Sequence, residues 1–249
     1  GDEMASLSSD QMDRASGFEL AILEEDGLGS RQATIGHKVY QALKQAIVRA
    51  RFKPGHLLSE AEIARQLGVS RQPVREAFIK LAEVGLVEIR PQRGTLVLLI
   101  SRRDVENARF IREAIEVAVV RRAAEEATEK DIAHLRELVR EQAASGDHPD
   151  HARFLAQDDV FHQSIAQIVD CANAWRVVED LKVQMDRVRF LSLSNATPAK
   201  TIMRQHGEIV DAIASGSPEQ AEAAMRRHLS EVLNSLPKIA TTHAELFVP

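Results

Sequence analysis

The sequence predicts a mainly α-helical protein: a winged helix-turn-helix unit over about residues 33–100, then an antiparallel six-helix bundle over 101–236. Three observations carry this. Residues 59–94, SEAEIARQLGVSRQPVREAFIKLAEVGLVEIRPQRG, hold two short helical patterns around a glycine turn, followed by two β-prone runs. Residues 101–236 repeat a 3.6-residue apolar period six times between breaks. Charge is divided along the chain, with a net +7 over 31–100 against −7 over 1–30 and −5 over 101–249.

In the first unit, Ser59 and Glu62 have the spacing of a capping box, Ile63 and Leu67 supply an apolar stripe, and Gly68 ends the helix. Ser70 is placed to cap a second helix over about 71–84. Pro73 is tolerated in its first turn, and Gly85 can take the left-handed conformation that ends it. Val74, Ala77, Phe78 and Leu81 form its buried stripe. Arg71, Gln72 and Arg75 are left on the opposite face at the N-terminal end, where a recognition helix meets base edges and phosphates. Leu86 to Ile89 and Thr95 to Leu99 are the wing strands. The turn Arg90-Pro91-Gln92-Arg93-Gly94 carries two cations at the wing tip, in reach of a flanking phosphate or the minor groove. Helix-turn-helix spacing alone is common among helical pairs. Confinement of the positive excess to this unit is what favours double-stranded DNA as partner, because phosphate neutralisation drives affinity.

The 249 residues are 44% hydrophobic and 4% aromatic, which suits two compact units with aliphatic cores. Residues 1–32, rich in Ser, Gly and acidic groups, predict a flexible acidic tail on which Phe18, Leu20, Ile22 and Leu23 are the exceptions. A second tail is expected over 237–249. The single cysteine, Cys171, excludes an intramolecular disulfide framework and suits a reducing compartment. No apolar run approaches the roughly 18 residues of a membrane span, so the expectation is a cytoplasmic, nucleoid-associated protein without a membrane partner.

The bundle helices are expected over about 102–127, 130–144, 149–169, 173–193, 198–215 and 217–235. Ser145-Gly146-Asp147 with Pro149, Asn173 as an N-cap, Asn195 to Pro198, and Ser215-Gly216-Ser217-Pro218 mark the breaks. Four polar residues interrupt the apolar stripes. Asp158 and His162 lie with Phe154, Phe161, Ile165 and Ile168; His206 shares a face with Ile202, Ile209 and Ile213; His228 shares one with Ala221, Met225 and Val232. Asp158 and His162, at i and i+4, can chelate one ion from one helix. The other two imidazoles complete a nitrogen and oxygen set for a divalent transition metal ion, zinc first, with nickel or manganese as alternatives. The other account is four separate core groups with ordinary hydrogen-bond partners. Asp159 can also face inward. Arg112 interrupts the stripe of Val105, Ala108, Ile115 and Val119; it is either bridged internally to Glu116 or a fork for the carboxylate of an effector beside the metal. Arg187 and Arg189 are further effector candidates. His37, His56, His134, His148 and His151 lie off the apolar faces and are expected at the surface.

The run LGVSRQPVREAFIKLAEVGLVEIRPQRG resembles the DNA-binding signature of GntR-type bacterial regulators, and the helical remainder resembles the ligand-binding domain of their FadR/VanR branch. The resemblance covers about residues 34–236. It implies that Arg71, Gln72 and Arg75 read bases or phosphates, with Arg93 and Gly94 at the wing tip. It also implies a metal at Asp158, His162, His206 and His228, preferring Asp158 to Asp159. One position departs: where some members bring an arginine to DNA, this chain has Ala61. The expectation is therefore a homodimeric regulator, a repressor, on a palindromic operator, released when a small carboxylate metabolite binds beside the metal. The same Asp/His set also suits a metal-dependent hydrolytic enzyme or a metal-stabilised adaptor. Neither of these needs a cationic winged unit.

Overall fold

The computed structural model describes residues 34–144, 150–193 and 197–249. The expected acidic tail over 1–32 lies outside these residues, as does His148. Between Leu98 and Leu99 the chain divides into two compact units.

The first unit runs α1 (Ile35–Val48), β1 (Leu57–Leu58), α2 (Glu60–Leu67), α3 (Arg71–Glu83), β2 (Val87–Arg90) and β3 (Gly94–Val97). Helix α1, which the sequence pattern did not delineate, starts where the Thr34 hydroxyl accepts from the His37 amide at 3.2 Å. Its buried face of Val39, Leu43 and Ile47 packs on α3, whose own buried face is Val74, Ala77, Phe78 and Leu81 as expected. At α2 only half of the expected capping box forms. The Ser59 hydroxyl accepts from the Glu62 amide at 3.4 Å, but the Glu62 carboxylate turns to Arg65 and Gln66. Ser70 occupies the N-cap of α3 without a side-chain cap bond. Such a cap draws on the second or third helical amide, and the third residue here is Pro73, which has none. Gly68 and Gly85 adopt φ of 64° and 74° at the two helix ends.

Strand β3 is the middle of a three-stranded antiparallel sheet, pairing Val97 with Val87 of β2 and Leu96 with Leu57 of β1. The third strand, β1, was not expected. It explains Gly94: at φ +99° a Cβ there would sit 3.1 Å from the Leu58 carbonyl oxygen, so glycine is required where β1 approaches β3.

The second unit runs α4 (Arg102–Glu126), α5 (Glu129–Ala143), α6 (His151–Ile168), α7 (Ala172–Leu181), α8 (Val183–Ser192), α9 (Ala199–Ala214) and α10 (Pro218–Thr242). Ser101, Thr128, Asp150 and Ser217 each cap a helix by accepting from an amide three residues on. The core is aliphatic with Phe161 and Trp175 at its centre.

Two expectations are corrected. The helix expected over 173–193 breaks at Lys182, whose ammonium is buried between Asp159 at 3.0 Å and Asp186 at 2.5 Å. No glycine or proline marks that break. Helix α10 continues past residue 235 and through Pro237, burying Leu236, Ile239 and Ala240. The chain then returns to the start of the unit, where the Ile100 amide donates to the Leu246 carbonyl at 2.8 Å and Val248 donates to Ile100 at 2.9 Å. The stretch 237–249 is therefore not a free tail: it is helical to Thr242, and Ile239, Ala240, Leu246 and Phe247 are buried. His151 is also not a free surface residue; it is half-buried, edge-on to Phe190 at 5.6 Å. Among the described residues no helix is long and apolar enough to cross a membrane.

Candidate metal centre and nucleic-acid interface

Helix α6 presents Asp158 and His162 one turn apart on its inner face, α9 presents His206, and α10 presents His228. All four are buried, at 0%, 2%, 0% and 5% exposure. Each offers one ligand atom, and the four atoms lie within 4.8 Å of one another. The His162 and His228 Nε2 atoms are 3.0 Å apart, His206 Nε2 is 3.3 Å from Asp158 Oδ1, and His162 Nε2 is 3.9 Å from Asp158 Oδ2.

What turns these atoms inward is a layer of oxygens behind the rings. His206 Nδ1 meets Gln142 Oε1 at 2.8 Å, His228 Nδ1 meets Gln205 Oε1 at 3.2 Å, and His162 Nδ1 lies against a Glu116 carboxylate oxygen. A carboxylate or amide oxygen accepts, so His206 and His228 can donate from Nδ1 and leave Nε2 to an ion. Asp158 Oδ1 and His206 Nε2, 3.3 Å apart, are buried without an aligned hydrogen bond, while Asp158 Oδ2 is held by Arg189 at 2.5 Å. Such a group of orphaned donors fits a cation of ordinary coordination radius.

Electrostatics keep the ligand atoms in the form that binds. Burial opposes the charge of Asp158, but Arg189, whose Nη2 is 2.5 Å from Oδ2, and the neighbouring imidazoles hold its carboxyl well below the usual range. Burial pushes His206 and His228 down, His228 strongly, so both are neutral. For Glu116 burial works upward, and the Arg112 guanidinium and the His162 imidazole against it outweigh it, bringing the carboxyl to about 2. Asp159, the alternative ligand, instead faces Lys182.

A narrow cleft of about 30 Å³ opens beside this centre, and Arg112, Arg189 and His228 are among the residues that line it. The two accounts of Arg112 turn out to concern different atoms. Its Nε donates to Glu116, whereas its Nη2 is buried with no hydrogen-bond partner. Arg189 is engaged by Asp158 and by Asp186 at 3.1 Å. Arg187 is not brought to the cleft; it is buried beside Gln184 at 3.3 Å, and burial lowers its pKa to about 10.

Sequence reasoning missed Gln142 and Gln205. Gln142 continues the stripe of Leu135, Leu138 and Val139 on α5 and interrupts it with a polar group, the same signal that marked the histidines.

In the first unit, Arg71, Gln72 and Arg75 are all exposed at the start of α3. The Gln72 amide donates to Glu76 at 3.0 Å, and Arg75 grips Glu60 of α2 with two bonds of 3.0 Å. Arg93 is exposed at the wing turn, where Gln92 takes a left-handed φ of 61°. Gly94 is the first residue of β3, paired with Arg90 where the wing turn closes, and its lack of a side chain leaves room for β1.

A winged helix-turn-helix with an exposed cationic recognition face, followed in one chain by a helical unit around a buried Asp/His cluster, defines a DNA-binding transcription regulator. Residues 35–97 match the family model of bacterial regulatory proteins of the gntR family and residues 99–231 match that of the FCD domain, so the chain belongs to the GntR family with an FCD domain. It is 42% identical over 213 residues to the HTH-type transcriptional repressor RspR of Escherichia coli (strain K12), covering 86% of this chain and 93% of that protein. It is 32% identical over 205 residues, 81% of this chain and 88% of the relative, to a probable D-xylose utilization operon transcriptional repressor of Paenarthrobacter nicotinovorans. Among solved structures, E. coli McbR/YncC shares the fold with a TM-score of 0.69 at 20% identity, covering 85% of this chain and 100% of that one. A putative GntR regulator from Rhodococcus sp. RHA1 aligns with a TM-score of 0.62 at 25% identity, covering 84% and 98%. These relatives are transcription regulators, not enzymes, which removes the hydrolytic alternative.

Proposed function

We propose that the protein is a homodimeric repressor whose hold on a palindromic operator is controlled by a small carboxylate bound beside a divalent transition metal ion. The observation that carries this reading is the set of three imidazoles, each with an oxygen beside Nδ1, that offer together with Asp158 four ligand atoms within 4.8 Å of one another. Four isolated core groups have no reason to share that orientation. Asp158, His162, His206 and His228 would hold the ion, and a bound ion would supply a Lewis-acidic anchor for an anion. Arg112 Nη2, buried and without a partner on the wall of the cleft, is the matching donor for that anion.

Arg71, Gln72, Arg75 and Arg93 read DNA in this account. One recognition helix covers too few base pairs for a useful specificity ratio, so two copies on a two-fold operator are required. Repressors among the relatives support the polarity. Effector binding shifts the DNA-competent population by its differential affinity for the two states.

The test is operator titration with and without a carboxylate identified by thermal shift, repeated with Arg112→Met. The substitution should abolish the effector response and leave operator affinity nearly intact. A wild-type response from Arg112→Met would remove the effector role and leave the Glu116 bridge as its whole task.

A further inference from the structure

The guanidinium of Arg75 on α3 is held from another helix. Glu60, the first residue of α2, accepts from Arg75 Nε and from Arg75 Nη2, each at 3.0 Å. These are the two parallel N–H groups along the side of the guanidinium, so the pair is bidentate and fixes the direction of the group as well as its distance. What stays open is the other parallel pair, Nη1–H and the second Nη2–H, at the end of the side chain. Arg75 keeps 59% of its side chain accessible and Glu60 26%, so the open end belongs to the more exposed partner.

An ion pair this exposed adds little to stability. Nor does the first turn of α2 depend on Glu60 to complement the helix dipole, since Glu62 is acidic in the same turn. For DNA affinity the carboxylate is a cost: the first helix of such a unit crosses the phosphate backbone, and a negative charge at its N-terminus repels it. A group that adds little to folding and opposes binding is explained by specificity. Guanine offers O6 and N7 to the major groove, and an arginine reads them with two parallel N–H groups. An untethered arginine loses rotamer freedom on docking and can turn instead to any nearby phosphate. With its side edge occupied by Glu60, Arg75 loses less freedom and presents only its end pair.

We propose that Glu60 is a positioning residue for sequence reading: it clamps the side edge of Arg75 so that Nη1 and Nη2 meet one guanine end-on, and its charge lowers the hold on DNA that offers no guanine there. This rests on the reading that Arg75 meets DNA, and adds how the contact is aimed and which base it takes.

The experiment uses the full chain as purified. Selection from a pool of random duplexes with the wild-type chain defines its preferred duplex. Wild type, Arg75→Ala, Glu60→Ala and Glu60→Gln are then titrated against that duplex and against a random-sequence duplex of equal length. Glu60→Ala should weaken the selected duplex by about tenfold and tighten the random one by about threefold. Glu60→Gln, which keeps one acceptor for Arg75 without the charge, should tighten the random duplex equally and recover part of the lost tenfold. Selection repeated with Glu60→Ala and with Arg75→Ala should relax the same single G·C pair in each half-site. Wild-type affinity from Arg75→Ala would overturn both the DNA role of Arg75 and the positioning role of Glu60. If Arg75→Ala weakens the selected duplex while Glu60→Ala matches wild type on both, the positioning role alone is overturned. Both duplexes weakened by one factor in Glu60→Ala, with a lowered melting temperature, would make the pair structural; both tightened by one factor would reduce Glu60 to a repelling charge. Either result overturns the proposal.

Discussion

The two units of this chain handle charge in opposite ways. In the winged unit the cations proposed to meet DNA stay in water: Arg71 and Arg93 are exposed, and Arg75 keeps 59% of its side chain accessible while gripping Glu60. In the helical unit Arg112, Glu116, Asp158, Lys182, Asp186 and Arg189 are largely withdrawn from solvent and pair with one another, with Glu116 and Asp158 also reaching the histidines. Exposed charge contributes little to folding, so the DNA-reading face can change without disturbing the fold. Buried charge is tolerated only in pairs, so the helical unit ties function to stability at every residue.

The largest effect that sharpens this contrast is expected from Asp158→Ala. It removes one candidate ligand and leaves Arg189 buried with Asp186 as its remaining partner, which should lower stability by about 3 to 5 kcal/mol in chemical denaturation. A loss below about 1 kcal/mol would mean that the charged interior is less interlocked than its geometry states. In the winged unit, Arg71→Ala and Arg75→Ala should each weaken operator binding by about ten- to a hundredfold with an unchanged melting temperature. Wild-type affinity from both would move the DNA-reading face elsewhere.

The pH dependence of the metal-free protein is a smaller effect, and its sign is set by the buried groups. His206 and His228 have folded values below the usual 6.5, so the unfolded chain takes up protons that the native state refuses. Their contribution is complete above about pH 6.5 and is lost progressively as pH falls below it. Glu116 acts in a separate window: its stabilisation is complete above the usual 4.5 and is lost as pH falls towards about 2. Denaturation midpoints measured from pH 8 to pH 5 should therefore decline, and a flat profile down to pH 5 would contradict the downward shift that burial gives the two imidazoles. Smallest of all, Arg93→Ala should reduce the salt slope of operator binding by about one unit, and an unchanged slope would exclude a phosphate contact at the wing.

How much was legible in the sequence divides along the same line. The helix pair and wing were readable because glycines, a proline and apolar spacing specify them locally. The strand Leu57–Leu58 was not, since two residues form a strand only through a partner some 38 residues away. In the helical unit Asp158, His162, His206 and His228 were found because a polar residue on an apolar stripe is visible in sequence. Gln142 gave that signal too and was passed over. The break at Lys182 had no local signal, because what bends the chain there is a buried ammonium drawn to Asp159 on another helix. The extension of α10 through Pro237 was hidden for a similar reason: the contacts of Leu236 and Ile239 with the core override the propensity of proline to end a helix.

The central claim is that the four residues on α6, α9 and α10 form one site and not four core positions. Elemental analysis of protein purified without chelator tests it most directly, alongside the melting temperature before and after metal removal. The account predicts about one divalent transition metal ion per chain, lost in His206→Ala, and a melting temperature that falls on chelation and recovers on adding zinc, nickel or manganese. A metal-free protein whose melting temperature none of the three ions changes would contradict it.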